Sequence, residues 1–447
     1  MTRLHPRFRR LLQRPEARHV GILASGSIAA QIVLVGTTPL LSRLYGPSHF
    51  GLFALLLTVS TIGGAVGGLS YEMAVILPRS QRMAQALYAL SLVLSVFTAG
   101  FTVCVVAVLQ RFFPSVLGTA LDATFYGACF FSTALLTQFN ALGYAHSRAG
   151  QYGAIAVSKV TQTVLPALAQ IGLAFAGLGA SGLTAGRALG LLGSDLWLCR
   201  KLPKGFRLRD LPHVRPAAML TAARSYRDFL YQVPRQVLVR GSTMMPSALL
   251  LGAYGPVVAG LYFFAARLVE RPGMLLGDAL SRVPMKQFAE RRKRGVPLTR
   301  AALLYTLAVG LPVVLGVAAL ALLAHPLFHF VFGRRWVPAA DYAVVLAGWA
   351  AIRLASLPMA TLTTVVRLQR ISFYVDAVFA PRVFVIPVLA AHGAGPLAAV
   401  AAFCALSVCY HILVFAVGLW AAMKHDRELR APRVRSGVLP EAEATYG

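Results

Sequence analysis

The chain has 447 residues, 57% of them hydrophobic and 13% charged, with a formal net charge of +28. A water-soluble domain carries about 25% charged residues, so this composition excludes an ordinary soluble fold. In a soluble chain the basic excess would suggest nucleic acid; the placement of the charges excludes that partner here.

Taken in order, residues 1–19 form a basic N-terminus with six arginines, followed by an apolar run from Val20. A cleaved signal peptide is the competing reading, but the run continues to Leu41, so an uncleaved first helix is expected. A second span, from about His49 to Tyr71, contains GGAVGG at 63–68. No Gly-Lys-Ser/Thr follows, so it is not a phosphate loop; Gly63/Gly67 and Gly64/Gly68 are small-xxx-small pairs that suit close helix packing. Apolar runs of about 20 residues, enough to cross ~30 Å of hydrocarbon, recur near 84–109, 119–143, 151–175 and 179–199. A basic linker with three prolines occupies 200–228. Further runs fall near 229–251, 257–284, 301–323, 338–363, 371–390 and 397–421, and a polar tail, expected to be disordered, fills 423–447. The expected fold is all-α, with about twelve membrane helices: six in 20–199 and six in 229–422.

The two halves share a signature. PLLSRLYGPSHFGLF (39–53) returns 209 positions later as ALLLGAYGPVVAGLY (248–262), with seven of fifteen positions identical. Among them are Tyr45/Tyr254, Gly46/Gly255, Pro47/Pro256 and Gly51/Gly260. Each copy ends one run, turns at Gly-Pro and opens the next, which predicts an internal duplication.

With the N-terminus in the cytoplasm, 30 Lys and Arg fall in cytoplasmic segments and 4 in the opposite loops. This bias predicts both termini inside, with the basic residues fixing topology and touching anionic lipid heads.

Nine basic residues remain within spans: Lys159, Arg187, Arg235, Arg240, Arg267, Arg271, Arg282, Arg353 and Arg382. The clearest intramembrane acids are Glu72, Asp195, Glu270, Asp278 and Asp376. Each mid-membrane charge costs about 2.5–3.5 kcal/mol on insertion scales, so such residues face a bundle interior or a wet cavity. Arg240, Arg267 and Arg382 fall roughly 15–18 Å into their spans at 1.5 Å per residue; Lys159 and Arg187 lie shallower. Some of these charges have candidate partners: Glu270 with Arg267 or Arg271 on one helix face, and Asp195 with Arg187 across two turns. The excess of cations still calls for an anionic partner, and arginine suits bidentate phosphate binding. Candidate substrate-binding cations are therefore Arg240, Arg267, Arg382, Arg187, Lys159, Arg235 and Arg353, in a central cavity.

Signals of catalysis or metal binding are weak. His325 and His329 are spaced i, i+4 in an expected outer loop, without an HExxH pattern, and the five cysteines show no metal or disulfide spacing. No nucleotide loop or GxSxG is present, so neither enzyme activity nor a cofactor is expected. Energy is expected from protons, Na⁺ or the membrane potential, with Glu72, Asp278 or Asp376 as candidate ion carriers.

Four stretches carry a family resemblance: PLLSRLYGPSHFGLFAL (39–55), LSYEMAVILP (69–78), YGPVVAGLYFFAARLVERPGMLLGDAL (254–280) and VFGRRWVPAADYAVVLAGWAA (331–351). Together they resemble the polysaccharide biosynthesis family of lipid-linked oligosaccharide flippases, within the multidrug/oligosaccharidyl-lipid/polysaccharide exporter superfamily, over roughly residues 20–420. The resemblance implies two pseudo-symmetric six-helix bundles facing each other across a central cavity, opening alternately to each side. It supports Glu72 and Arg267 as pattern positions. The implied function is translocation of undecaprenyl-pyrophosphate-linked oligosaccharide across a bacterial inner membrane, for O-antigen or exopolysaccharide. Membrane lipids, a polysaccharide polymerase and a chain-length regulator are the implied partners. The alternatives are a drug/cation antiporter of the same superfamily, which calls for an acid-lined cavity, and a membrane-embedded polymerase or ligase, which calls for a large outer loop. A peptidoglycan-precursor flippase is a third, though relatives of that type usually carry two extra C-terminal helices.

Overall fold

The structure is a computed structural model that describes residues 15–118, 120–207, 210, 214–366 and 368–430. Its regular elements are all helical among those residues. Twelve long helices follow in order. The first six are α1 (Pro15–Leu44), α2 (Pro47–Val66), α3 (Gln81–Phe112), α4 (Ala123–Arg148), α5 (Tyr152–Phe175) and α6 (Gly179–Arg200). The second six are α7 (Gln232–Tyr254), α8 (Pro256–Lys293), α9 (Thr299–Leu327), α10 (Ala339–Val365), α11 and α12 (Pro396–Arg430). α11 is broken: Gln369–Phe379, a 3-10 turn at Ala380–Phe384, then Val385–Ala391. The turn coincides with Pro381, which lacks an N–H for the helical ladder.

Among the described residues, eight helices are long and apolar enough to cross a membrane by length and composition. Of the twelve, α4, α6, α7 and α8 fall short. Three of these carry arginines among the candidate substrate-binding cations: Arg187 on α6, Arg235 and Arg240 on α7, Arg267 on α8.

The packing partners repeat with an offset of six. α2 packs on α4 as α8 packs on α10; α3 on α4 as α9 on α10; α4 on α6 as α10 on α12; α1 on α5 as α7 on α11. The duplication is therefore carried by the fold, as two six-helix bundles. Glycines set several of these contacts. In α2, a Cβ on Gly63 would sit 2.9 Å from the Thr133 methyl and one on Gly64 3.1 Å from Leu136, so α2 lies backbone-close to α4. The small-xxx-small reading of 63–68 holds for this face.

The bundles meet where the duplicated stretches meet. Pro256 fills the space over the bare Cα of Gly51, and Pro47 fills the space over Gly260. Each copy of the motif seats its proline on the glycine of the other. Around this contact lie Phe50, Phe264, Phe332 and Trp336; the Trp336 indole stacks 4.1 Å from Phe264 and stands edge-on 5.1 Å from Phe50. Trp336 Nε1 donates to Ser42 O at 2.8 Å, from the second bundle to the first. The Phe-Gly-x-x-Trp stretch is thus a staple between bundles.

Three expectations change. The expected outer loop holding His325 and His329 is largely helical: α9 runs to Leu327 and continues as a π turn, Phe328–Phe332. The tail does not begin at 423, because α12 extends to Arg430. There Asp426 accepts from Leu298 N (2.7 Å) and Thr299 N (3.1 Å), capping α9. The linker at 200–228 contains a helix, Pro216–Ser225. Residues 1–14 and 431–447 lie outside the described residues.

Candidate functional site

The two bundles touch unequally along their two seams. On one, α2 packs against α7, and Thr58 Oγ1 donates to Met244 O (3.0 Å) while Gln236 Nε2 donates to Ser70 Oγ (3.0 Å). On the other, α1 and α8 make no comparable contact among the described residues. A cavity of about 370 Å³ opens there, walled by α1, α2, α5 and α6 from the first bundle and by α7 and α8 from the second. Its charged residues are Arg187, Arg267 and Glu270, set among Gln31, Gln162, Gln170 and several threonines.

Local sequence explains how Arg187 reaches this place. Gly182, Gly186 and Gly190 line one face of α6 at four-residue spacing. A Cβ on Gly186 would sit 2.8 Å from Gln170 N, and Pro166 occupies the space over Gly190. With no side chains between them α5 and α6 approach backbone to backbone, which brings Arg187 beside Gln170. Gln170 is held by Nε2 donating to Leu183 O (2.9 Å) and by its backbone O accepting from Tyr45 OH (2.6 Å). Arg267 and Glu270, three apart on α8, face the cavity together, as their spacing predicts.

Arg240, Arg267 and Arg382 are not brought together. Of the three, Arg267 alone lines the cavity; Arg240 is exposed, as is Arg235. Arg382 lies within the second bundle, donating to Ser407 Oγ (3.0 Å) and Phe379 O (2.8 Å) and resting 5.2 Å over the Tyr410 ring. Arg353 stacks 5.3 Å over Trp349 in the same bundle. Lys159 donates to Ser27 Oγ at 3.0 Å, between α5 and α1.

The acids divide similarly. Leu69 and Ser70 adopt positive φ (49° and 63°) and turn the chain back after α2. The short helix Tyr71–Ala74 then carries Glu72, 4% exposed, with its carboxyl against Gly68 and Oε2 without a hydrogen-bond partner. Asp376 accepts from Tyr410 OH at 2.7 Å. The Asp278 side chain lies outside the described residues. Asp195 is buried with no hydrogen bond to either oxygen, so the expected Arg187–Asp195 pair is not formed. His325 pairs with Asp341 at 3.1 Å, and no group of three or more potential metal ligands occurs among the described residues.

Charge counting missed the glutamines, which outnumber the arginines in this cavity. A signal was available: Gln162 and Gln170 stand eight residues apart in one span, with Gln31 central in another.

A second hollow, about 650 Å³, lies across the α2–α7 seam against α3 and α11, lined almost wholly by apolar side chains. It suits hydrocarbon and not a charged headgroup.

The fold is similar to that of solved transporters. The lipid II flippase MurJ in an inward closed conformation matches with a TM-score of 0.64 at 11% identity, over 91% of this chain and 90% of that chain. A MATE protein in complex with MaL6 matches at 0.53 and 14% identity, over 93% and 97%. A MATE protein in complex with MaD5 matches at 0.50 and 14% identity, over 92% and 95%. No curated protein sequence matches the chain. The family model described as "Polysaccharide biosynthesis protein" covers residues 40–341, from the first copy of the Gly-Pro motif past the Trp336 staple. The features that join the two bundles thus lie inside the matched region, and the chain belongs to the polysaccharide biosynthesis protein family.

Proposed function

We propose that this multi-pass membrane protein is a flippase, and not an enzyme, that carries undecaprenyl-pyrophosphate-linked oligosaccharide from the cytoplasmic to the outer leaflet of a bacterial inner membrane. The observation that carries the reading is the placement of Arg187 and Arg267, from opposite bundles, in one cavity on the open α1–α8 seam. A pyrophosphate offers several anionic oxygens to two guanidinium forks. The lipid tail stays in the bilayer while the headgroup enters through the open seam. An antiporter for cations calls for an acidic lining, and this one has two arginines against one glutamate. In the orientation set by the basic segments, the Gly-Pro turns close the outer end and the cavity is reached from the cytoplasmic half. Protons, Na⁺ or the membrane potential would drive the cycle; Glu72, with an oxygen unpartnered inside the first bundle, is the foremost carrier. A polymerase acting on the exported lipid is the natural partner.

The test is surface polysaccharide export in cells carrying Arg187→Ala or Arg267→Ala, with membrane levels checked by blot. Loss of one charge-assisted contact of about 1.5–3 kcal/mol weakens binding roughly ten- to hundredfold, and lysine at either position should rescue only in part. Full export from both alanine variants would defeat the assignment.

A further inference from the structure

We infer that the cavity reads the saccharide as well as the phosphate, through a hydrogen-bond acceptor face on α1 and α5 that takes the hydroxyls of an uncharged sugar next to the diphosphate. This deepens the flippase reading and rests on it.

Gln31, Thr37 and Thr163 all line the cavity. The Gln31 Oε1 atom is buried and accepts no hydrogen bond. The Thr37 hydroxyl donates to Val33 O (2.9 Å) or Leu34 O (3.2 Å), and the Thr163 hydroxyl donates to Lys159 O (3.2 Å). Each threonine proton is therefore committed to the backbone, leaving the oxygen lone pairs as acceptors. Gln31 Oε1 thus lacks a donor, and the two threonine oxygens beside it can act toward a ligand only as acceptors.

An ionised diphosphate cannot complete them, because it too offers only acceptors. A sugar hydroxyl can, since it both donates and accepts. Leaving a buried carbonyl unsatisfied is costly in a water-poor site, so the ligand that supplies donors is favoured over one that does not. The arginines and the acceptor face thus divide the labour: guanidinium groups hold the phosphates, while Gln31 and the two threonines hold hydroxyls. At about 370 Å³ the cavity lies near the small end of the range for small-molecule sites, ~300–1,000 Å³. It accommodates the diphosphate and the adjoining sugar and not a long glycan, so discrimination falls on the first residue of the oligosaccharide.

The experiment uses full-length purified protein in lipid nanodiscs and two short-chain probes, geranyl diphosphate and geranyl diphosphate bearing one glucose. Wild type should bind both, with the glucose adding about tenfold in affinity, the worth of one good hydrogen bond to an otherwise unsatisfied group. Gln31→Leu should erase that gain and leave affinity for the bare diphosphate unchanged. Thr37→Val, close to isosteric, should erase part of it, which guards against a folding defect in the glutamine variant. A glucose that adds nothing in wild type, or a gain that survives both substitutions, would overturn the inference. Absence of binding by either probe, or diphosphate binding unaltered by Arg267→Ala, would instead defeat the flippase reading beneath it.

Discussion

Asp195 is 3% exposed, and neither of its carboxyl oxygens has a hydrogen bond. A buried carboxyl left unpartnered costs free energy, and such residues within membrane bundles mark ion pathways by default. Asp195→Asn, which keeps the shape and removes the exchangeable acid, is expected to reduce polysaccharide export at least tenfold with normal membrane levels. Wild-type export from Asp195→Asn cells would mean that the carboxyl has no part in coupling. Individual roles were only partly legible in the sequence. Arg267 and Glu270 share a helix face, so their spacing sufficed. Asp195 looked satisfied by Arg187 because both lie on one span, but the two point into different surroundings, cavity and bundle core. Depth along the chain placed Arg240 and Arg382 level with Arg267, whereas depth says nothing about the direction in which a side chain leaves its helix.

At the level of elements, hydropathy recovered all twelve helices, although four of them fall short of a membrane span by composition. Their boundaries drifted where the chain leaves the hydrocarbon: α8 runs to Lys293 and α12 to Arg430 because a helix continues into water as long as its turns are satisfied. The glycine ladder of α6 has a testable role. Gly190→Leu should drive a side chain into the Pro166 backbone and destabilise the first bundle by about 1–3 kcal/mol, the usual cost of overpacking. It should also displace Arg187 from the cavity. A methyl group added at Gly172 on α5 would meet nothing within 4 Å, so Gly172→Ala should be neutral or slightly stabilising. Equal melting temperatures for the Gly190→Leu variant and wild type in detergent would contradict the close α5–α6 contact.

At the scale of the whole molecule, the duplicated Tyr-Gly-Pro stretch foretold two halves, but not that the copies would touch. Sequence shows that two segments are alike; their mutual contact depends on the symmetry axis passing between them. Gly51→Ala or Gly260→Ala should wedge this closed end, since the prolines already fill the space a methyl needs. In a variant cleared of its native cysteines, a cysteine at Leu41, which lines the cavity and is 3% exposed, reports the opening through its rate of thiol labelling from outside. A rise in labelling is expected with either alanine, and an unchanged rate in both would show that the end stays shut without the contact. The reciprocal seating of proline on glycine is also the geometry of an isologous homodimer, in which one surface patch meets its own copy. A half-length ancestor pairing with itself would make this contact twice over, and both flanks would have been forced to match. Gene fusion releases that constraint: each flank can take mutations of its own, so one becomes a sealed spine and the other a mouth.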